Sequence, residues 1–145
     1  MSYDLLARRV PPWANVESVF EADDDDERPP TAEERATMER LAAAIHRLDP
    51  SARREDDEHW IEFFTADGIE VSLYADEAGI SVGYRHEGAA AEAVMERVHQ
   101  YAALLRAVGY TVYDPQTGET VEGPGARHAY PTAPKRRFWL FGGRD

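Results

Sequence analysis

Any chemistry this chain performs has to come from imidazole, carboxylate and hydroxyl groups, because its 145 residues include no cysteine. Disulfides, thiolate metal sites and cysteine nucleophiles are thereby excluded. The five histidines are His46, His59, His86, His99 and His128. A catalytic imidazole needs a carboxylate or nucleophile held within hydrogen-bond reach. His46 and His99 fall on the polar flanks of helical stripes and read as ordinary surface histidines. His59 follows Glu55-Asp56-Asp57-Glu58, a grouping that could gather a divalent cation. No two histidines have the one-turn spacing of a dedicated zinc site, so no metal is assigned.

The run Asp23-Asp24-Asp25-Asp26-Glu27 could hold Ca²⁺ loosely, yet it lacks the glycine and the closing glutamate of an EF-hand loop. Crowded like charges repel, so the run reads as a mobile, solvated loop. Neither glycine-rich phosphate loop occurs, and there is no serine nucleophile elbow. Paired-carboxylate catalysis is compatible with 28 acidic residues, but that abundance makes any one pair uninformative. No catalytic residue and no cofactor is assigned.

The frame carrying these groups is more legible. Tyr3 to Val10 reads as a strand closed by Pro11 and Pro12, since proline cannot donate to a ladder. Val16 to Pro30 reads as a polar connection anchored by Trp13, Val19 and Phe20. Thr31-Ala32-Glu33-Glu34 is a capping box, and Met38, Leu41, Ala42, Ile45 and Leu48 form one apolar stripe up to Asp49-Pro50. Ser51 to Glu58 reads as a charged loop. His59 to Thr65 is a strand, and Ala66-Asp67-Gly68 predicts a three-residue hairpin loop with Gly68 left-handed. That register sets Phe63 opposite Val71 and Ile61 opposite Leu73. Ile80, Val82 and Tyr84 alternate in a third strand of the meander. A second helix over about 89–108 carries Val94, Val98, Tyr101, Leu105 and Val108, with Gly109 as its stop. Tyr110 to Tyr113 is the last strand.

The fold class is therefore α+β: an antiparallel sheet with two helices on one face, in the order β-α-β-β-β-α-β. It resembles a ferredoxin-like sandwich with an extra strand. Residues 1–118 form the domain, with the acidic loop around 16–30. Residues 119–145 form an irregular glycine- and proline-rich tail that ends in the basic-aromatic cluster Lys135-Arg136-Arg137-Phe138-Trp139-Leu140-Phe141.

With both helices on the face of Ile61, Phe63, Val71, Leu73 and Val82, the opposite face carries Trp60, Glu62, Phe64, Glu70, Tyr74 and Arg85, beside Ser72 and Ser81. Aromatics between carboxylates are more apolar than a solvated sheet face needs, and such patches mark contacts. These six residues are assigned to partner binding. Three occupants compete: the tail folded back, a second copy in a homodimer, or a foreign partner. A one-residue slip in register would exchange the two faces.

The formal charge of −12 repels nucleic-acid phosphates and anionic membranes and favours a basic protein partner. One basic cluster in the tail is too little for a nucleic-acid groove or for stable membrane attachment. The N-terminus lacks the pattern of a signal peptide, no run is long enough to span a membrane, and the absence of cysteine suits the cytoplasm.

Tyr3-Asp4-Leu5-Leu6 and the stretch from Leu104 through Val112-Tyr113-Asp114-Pro115-Gln116 resemble small uncharacterised bacterial proteins. In these, a Y-D-L strand and a helix leading into V-Y-D-P-Q recur. Some of them resemble immunity proteins of toxin systems. The resemblance implies a binding role and transfers no catalytic residue. The expected function is non-enzymatic: an acidic immunity or inhibitor protein masking a basic partner. The alternatives are a small enzyme using a carboxylate and a histidine in a sheet–helix cleft, and a self-associating structural protein.

Overall fold

A computed structural model describes residues 2–21, 28–83 and 86–122. The acidic run at 23–27, Tyr84, Arg85 and the segment 123–145 lie outside the described residues. The described chain is α+β, with seven strands in one antiparallel sheet and three helices. In chain order these are β1 (Ser2–Arg8), α1 (Val16–Glu21), α2 (Ala32–Leu48), β2 (Arg53–Asp56), β3 (Ile61–Phe64), β4 (Ile69–Leu73), β5 (Glu77–Gly83), α3 (Gly88–Ala107), β6 (Thr111–Asp114) and β7 (Glu119–Thr120).

The local signals act as their residue types require. Thr31 Oγ1 accepts the Glu34 amide at 3.1 Å, and the Glu34 carboxylate accepts the Thr31 amide at 2.9 Å, completing the capping box of α2. Helix α3 ends in a Schellman arrangement. Gly109 sits at φ 97°, its amide donates to the Arg106 carbonyl at 2.9 Å, and the Tyr110 amide donates to the Leu105 carbonyl at 3.2 Å. Gly68 takes φ 87° in the three-residue β3–β4 loop. The hairpin has the expected register, with Phe63 opposite Val71 and Ile61 opposite Leu73.

The sheet order is β2-β3-β4-β5-β1-β6-β7. Cross-strand pairing puts Ile61, Leu73, Ala78, Ala7 and Val112 in one row and Phe63, Val71, Ile80 and Leu5 in the next. These side chains share one buried cluster with Met38, Leu41, Ala42 and Ile45 of α2 and with Val94, Val98, Tyr101 and Leu105 of α3. Each fully buried aliphatic or aromatic side chain here contributes roughly 1.5–3 kcal/mol, which makes this cluster the main source of stability.

The order departs from β-α-β-β-β-α-β, and the strand order differs from that of a four-stranded ferredoxin-like sheet. Helix α1 stands inside the stretch expected as a polar connection. The Asn15 carboxamide accepts the Ser18 amide at 3.0 Å, capping the helix, and Phe20 is buried while Trp13 is 85 % exposed. Strand β2 stands where a charged loop is expected. All four of its residues are exposed, so no alternation marks it, and its order comes from pairing with β3. Strand β7 pairs with β6, and Val121 beyond it is buried in the core. The first strand ends at Arg8 rather than Val10. Strand β3 begins at Ile61 because the Asp57 carboxylate accepts the amides of His59 and Trp60, at 2.7 and 3.2 Å, and turns the chain there.

Candidate functional site

The face of the sheet turned away from the core is built from two adjacent cross-strand rows. One runs Arg53, Phe64, Glu70, Ser81, Asp4. The other runs Glu55, Glu62, Ser72, Gly79, Leu6, Tyr113. The structure therefore brings Glu62, Phe64 and Glu70 together as the period-two pattern requires. Continuing the register one step past Ile61 and Leu73 brings Trp60 and Tyr74 to the same end of the face. Trp60 is half-buried and Tyr74 is 38 % exposed. None of these aromatics belongs to the core cluster. Arg85 lies outside the described residues.

Gly79 was not singled out by sequence, yet it shapes the surface. Without a side chain there, the sheet carries a depression of about 260 Å³ walled by Leu6, Ser72, Tyr74 and Glu77, with Asp4 and Glu70 on its rim. A second depression of about 320 Å³ runs from Phe64 and Thr65 towards Ser2 and Gly83, and shares Glu70 and Ser81 with the first. The available signal was a glycine inside a strand pattern, which marks a close approach or a gap. Helix α1 closes the far end of the face. Phe20 stacks on Tyr113 with ring centroids 4.7 Å apart, and Arg8 Nη1 donates to the Val19 carbonyl at 2.8 Å.

Charge on this face is unevenly neutralised. Glu77 is paired with Arg8 at 3.3 Å, and Glu55 with Arg53 at 3.2 Å. The Arg53 guanidinium also lies over the Phe64 ring, 4.7 Å from its centroid. Among the described residues Glu62 accepts the Ser72 hydroxyl alone, at 3.1 Å. Among the described residues Glu62, Glu70 and Asp4 have no ion-pair partner. Glu55 and Glu62 are directly opposite one another, an unfavourable like-charge pair that an added cation would relieve. Burial and then the Glu62 carboxylate push the Tyr74 phenol above its ordinary value, so it stays a neutral donor beside them. The arrangement suits capture of cationic side chains with apolar stems.

The other dense cluster is a staple rather than a cleft. Arg97 Nη2 meets Asp49 at 2.7 Å and Arg97 Nε meets Asp67 at 3.1 Å, tying the end of α2 and the β3–β4 loop to α3. Asp49 also accepts the Ser51 hydroxyl at 2.7 Å, and Asp67 accepts the Thr65 hydroxyl. The Ser51 hydroxyl and amide and the Arg97 charge hold Asp49 below its ordinary value, against the burial that opposes them. Both carboxylates are engaged, which leaves no free base here.

Among the described residues the histidines do not converge, and His128 lies outside them. His46 is exposed, and His59 is 3.9 Å from Glu58 in an exposed loop. His86 Nε2 lies 2.8 Å from the Asp67 carbonyl. His99, expected on the surface, is 7 % exposed because α3 buries a wider arc than its aliphatic stripe. Among the described residues no group of three histidine or carboxylate side chains could hold a metal ion. No described helix is long and apolar enough to cross a membrane. No protein-family model, curated protein or solved structure matches this chain.

Proposed function

We propose that this protein is a non-enzymatic binding module of the immunity or inhibitor type, acting in the cytoplasm, that masks a basic protein partner with its outer sheet face. The observation that carries this reading is a set of three carboxylates without ion pairs among the described residues, Asp4 and Glu70 at the depression over Gly79 and Glu62 next to it across Ser72. A partner's arginine or lysine would place its stem against Leu6 and Tyr74 and its charge among those carboxylates. Phe64, Trp60 and Tyr74 are the anchoring surface, since aromatic anchors carry most of the affinity in protein contacts. The excess of negative charge would speed encounter with a positive partner. The same reading takes the sub-order β4-β5-β1-β6 as the ferredoxin-like part of the sheet, widened by β3 and β2 on one side and β7 on the other.

The test is a titration of the full chain with an arginine-rich peptide, followed by amide NMR. The expected result is that shifts concentrate at Glu62, Glu70, Ser72 and Gly79 and vanish in a Glu62→Gln/Glu70→Gln variant. Shifts confined to α2 and α3, or none, would reject the proposal.

A further inference from the structure

The occupant chemistry that the outer face calls for is present in the chain itself. Residues 123–145 contain five Lys and Arg and a single acid, Asp145, giving this segment +4 and the first 122 residues −16 of the total −12. Its cluster places three consecutive cations, Lys135, Arg136 and Arg137, next to Phe138, Trp139 and Phe141. The face offers three carboxylates without ion pairs among the described residues, Glu62, Glu70 and Asp4, beside Phe64 and Tyr74. Charge and aromatic character match on both sides.

Reach is sufficient. The described chain stops at Glu122, just past β7 at one edge of the sheet. Strand β4 is four strand spacings away, about 19 Å at roughly 4.8 Å each. Twelve residues, 123–134, precede Lys135. Fully extended they span up to about 40 Å, enough to pass around α1. A tethered segment needs little intrinsic affinity, because its effective concentration is in the millimolar range for a short linker.

We propose that the segment 135–141 docks in cis on the outer sheet face of the free protein and competes there with the basic partner. This rests on the reading of that face as a surface for cationic partners. The segment is then an internal mimic of the partner, and only a ligand that displaces it gains the face. Acidic side chains elsewhere on the body attract the segment as well, but this face adds an aromatic rim and the gap at Gly79, so that ring and charge are both satisfied there.

The experiment compares the full chain with Lys135→Glu/Arg136→Glu/Arg137→Glu, and separately with Trp139→Ala, using amide spectra and the affinity for an added synthetic peptide of residues 134–141. Circular dichroism and the urea midpoint check that each variant keeps its fold. The expected result is a change in the amide positions of Glu62, Glu70, Ser72 and Gly79, with at least tenfold tighter peptide binding in the triple variant and a smaller gain in Trp139→Ala. Unchanged face amides or unchanged affinity overturns the proposal. If the peptide binds the face equally well in all three proteins, the tail is not the occupant and the binding face stands. If it binds none of them, the face reading falls too. A wild-type protein that sediments as a dimer, with a monomeric triple variant, assigns the tail to a second copy and overturns docking in cis.

Discussion

The side chain of Gln116 exchanges two hydrogen bonds with the backbone of Asp4: the Asp4 amide donates to Oε1 at 3.0 Å, and Nε2 donates to the Asp4 carbonyl at 3.0 Å. Gln116 thereby extends the β1–β6 ladder beyond the last paired residue of β6. Beside it, the Tyr3 hydroxyl donates to Asp114 Oδ2 at 3.0 Å, and Asp114 is only 1 % exposed. The sequence pieces Tyr3-Asp4-Leu5 and Val112 to Gln116 are thus hydrogen-bonded together. Their role in this chain is to lock β1 to the end of β6.

Removing that lock has a graded effect. Gln116→Ala should destabilise by about 1 kcal/mol, the usual net worth of such bonds. Gln116→Glu should be worse at neutral pH, because it loses the donor and adds a charge beside Asp4 and Asp114. Tyr3→Phe leaves a buried carboxylate short of a donor and should cost about 1–3 kcal/mol. Urea unfolding of the three variants checks the order.

The Asp49–Arg97–Asp67 staple gives a sign-definite pH effect. Asp49 has a folded value below its ordinary 3.8, so its contribution is fully present above that value and is lost as pH falls through the lowered one. Asp49→Asn should destabilise by about 1–2 kcal/mol at pH 7, less than a fully buried pair because the Arg97 side chain is 36 % exposed. The difference from wild type should shrink below pH 4. Equal stability of the two proteins at pH 7 would remove the staple from the account.

The cap of α2 behaves similarly over a wider range. Arg28 first, at 2.6 Å, and then the Thr31 amide hold Glu34 down to about 2 from 4.5. Its contribution is complete above pH 4.5 and fades towards pH 2. Thr31→Ala should cost about 1 kcal/mol. The gap between wild type and Glu34→Gln, followed by thermal unfolding, should stay constant from pH 7 to 4.5 and then close.

Two glycines should respond in opposite ways. At Gly109 a Cβ would stand 2.7 Å from Arg9 Nη1 on a backbone at φ 97°, so Gly109→Ala should cost about 1–2 kcal/mol. Arg9→Ala should relieve the clash and not the backbone strain, so the double variant should be less impaired than the sum. At Gly79 the nearest atom to a Cβ is the Leu5 carbonyl oxygen at 3.7 Å, an ordinary contact, so a larger residue fits without strain.

Features decided within a few residues were legible from the sequence. The Thr31 capping box, the Gly68 hairpin with its register and the Gly109 stop are all set by neighbouring side chains and backbone sterics. Strand β2 was not, because Arg53 to Asp56 bury nothing and are ordered by an adjacent strand. Helix α1 was not, because six residues carry too little periodicity and its reason for folding is the ring of Tyr113, far along the chain. In the site, Glu62, Phe64 and Glu70 followed from alternation alone. The depression at Gly79 and the locking of Arg53 onto Phe64 depend on strand neighbours that only the assembled sheet defines.

The most direct test of the binding face is the affinity for an arginine-rich peptide, by calorimetry, of the full chain carrying Lys135→Glu/Arg136→Glu/Arg137→Glu, with and without Gly79→Val. Filling the gap should weaken binding at least tenfold while leaving the urea midpoint unchanged or higher. Equal affinities in two equally stable proteins would contradict the claim that the outer sheet face is where a basic partner is held.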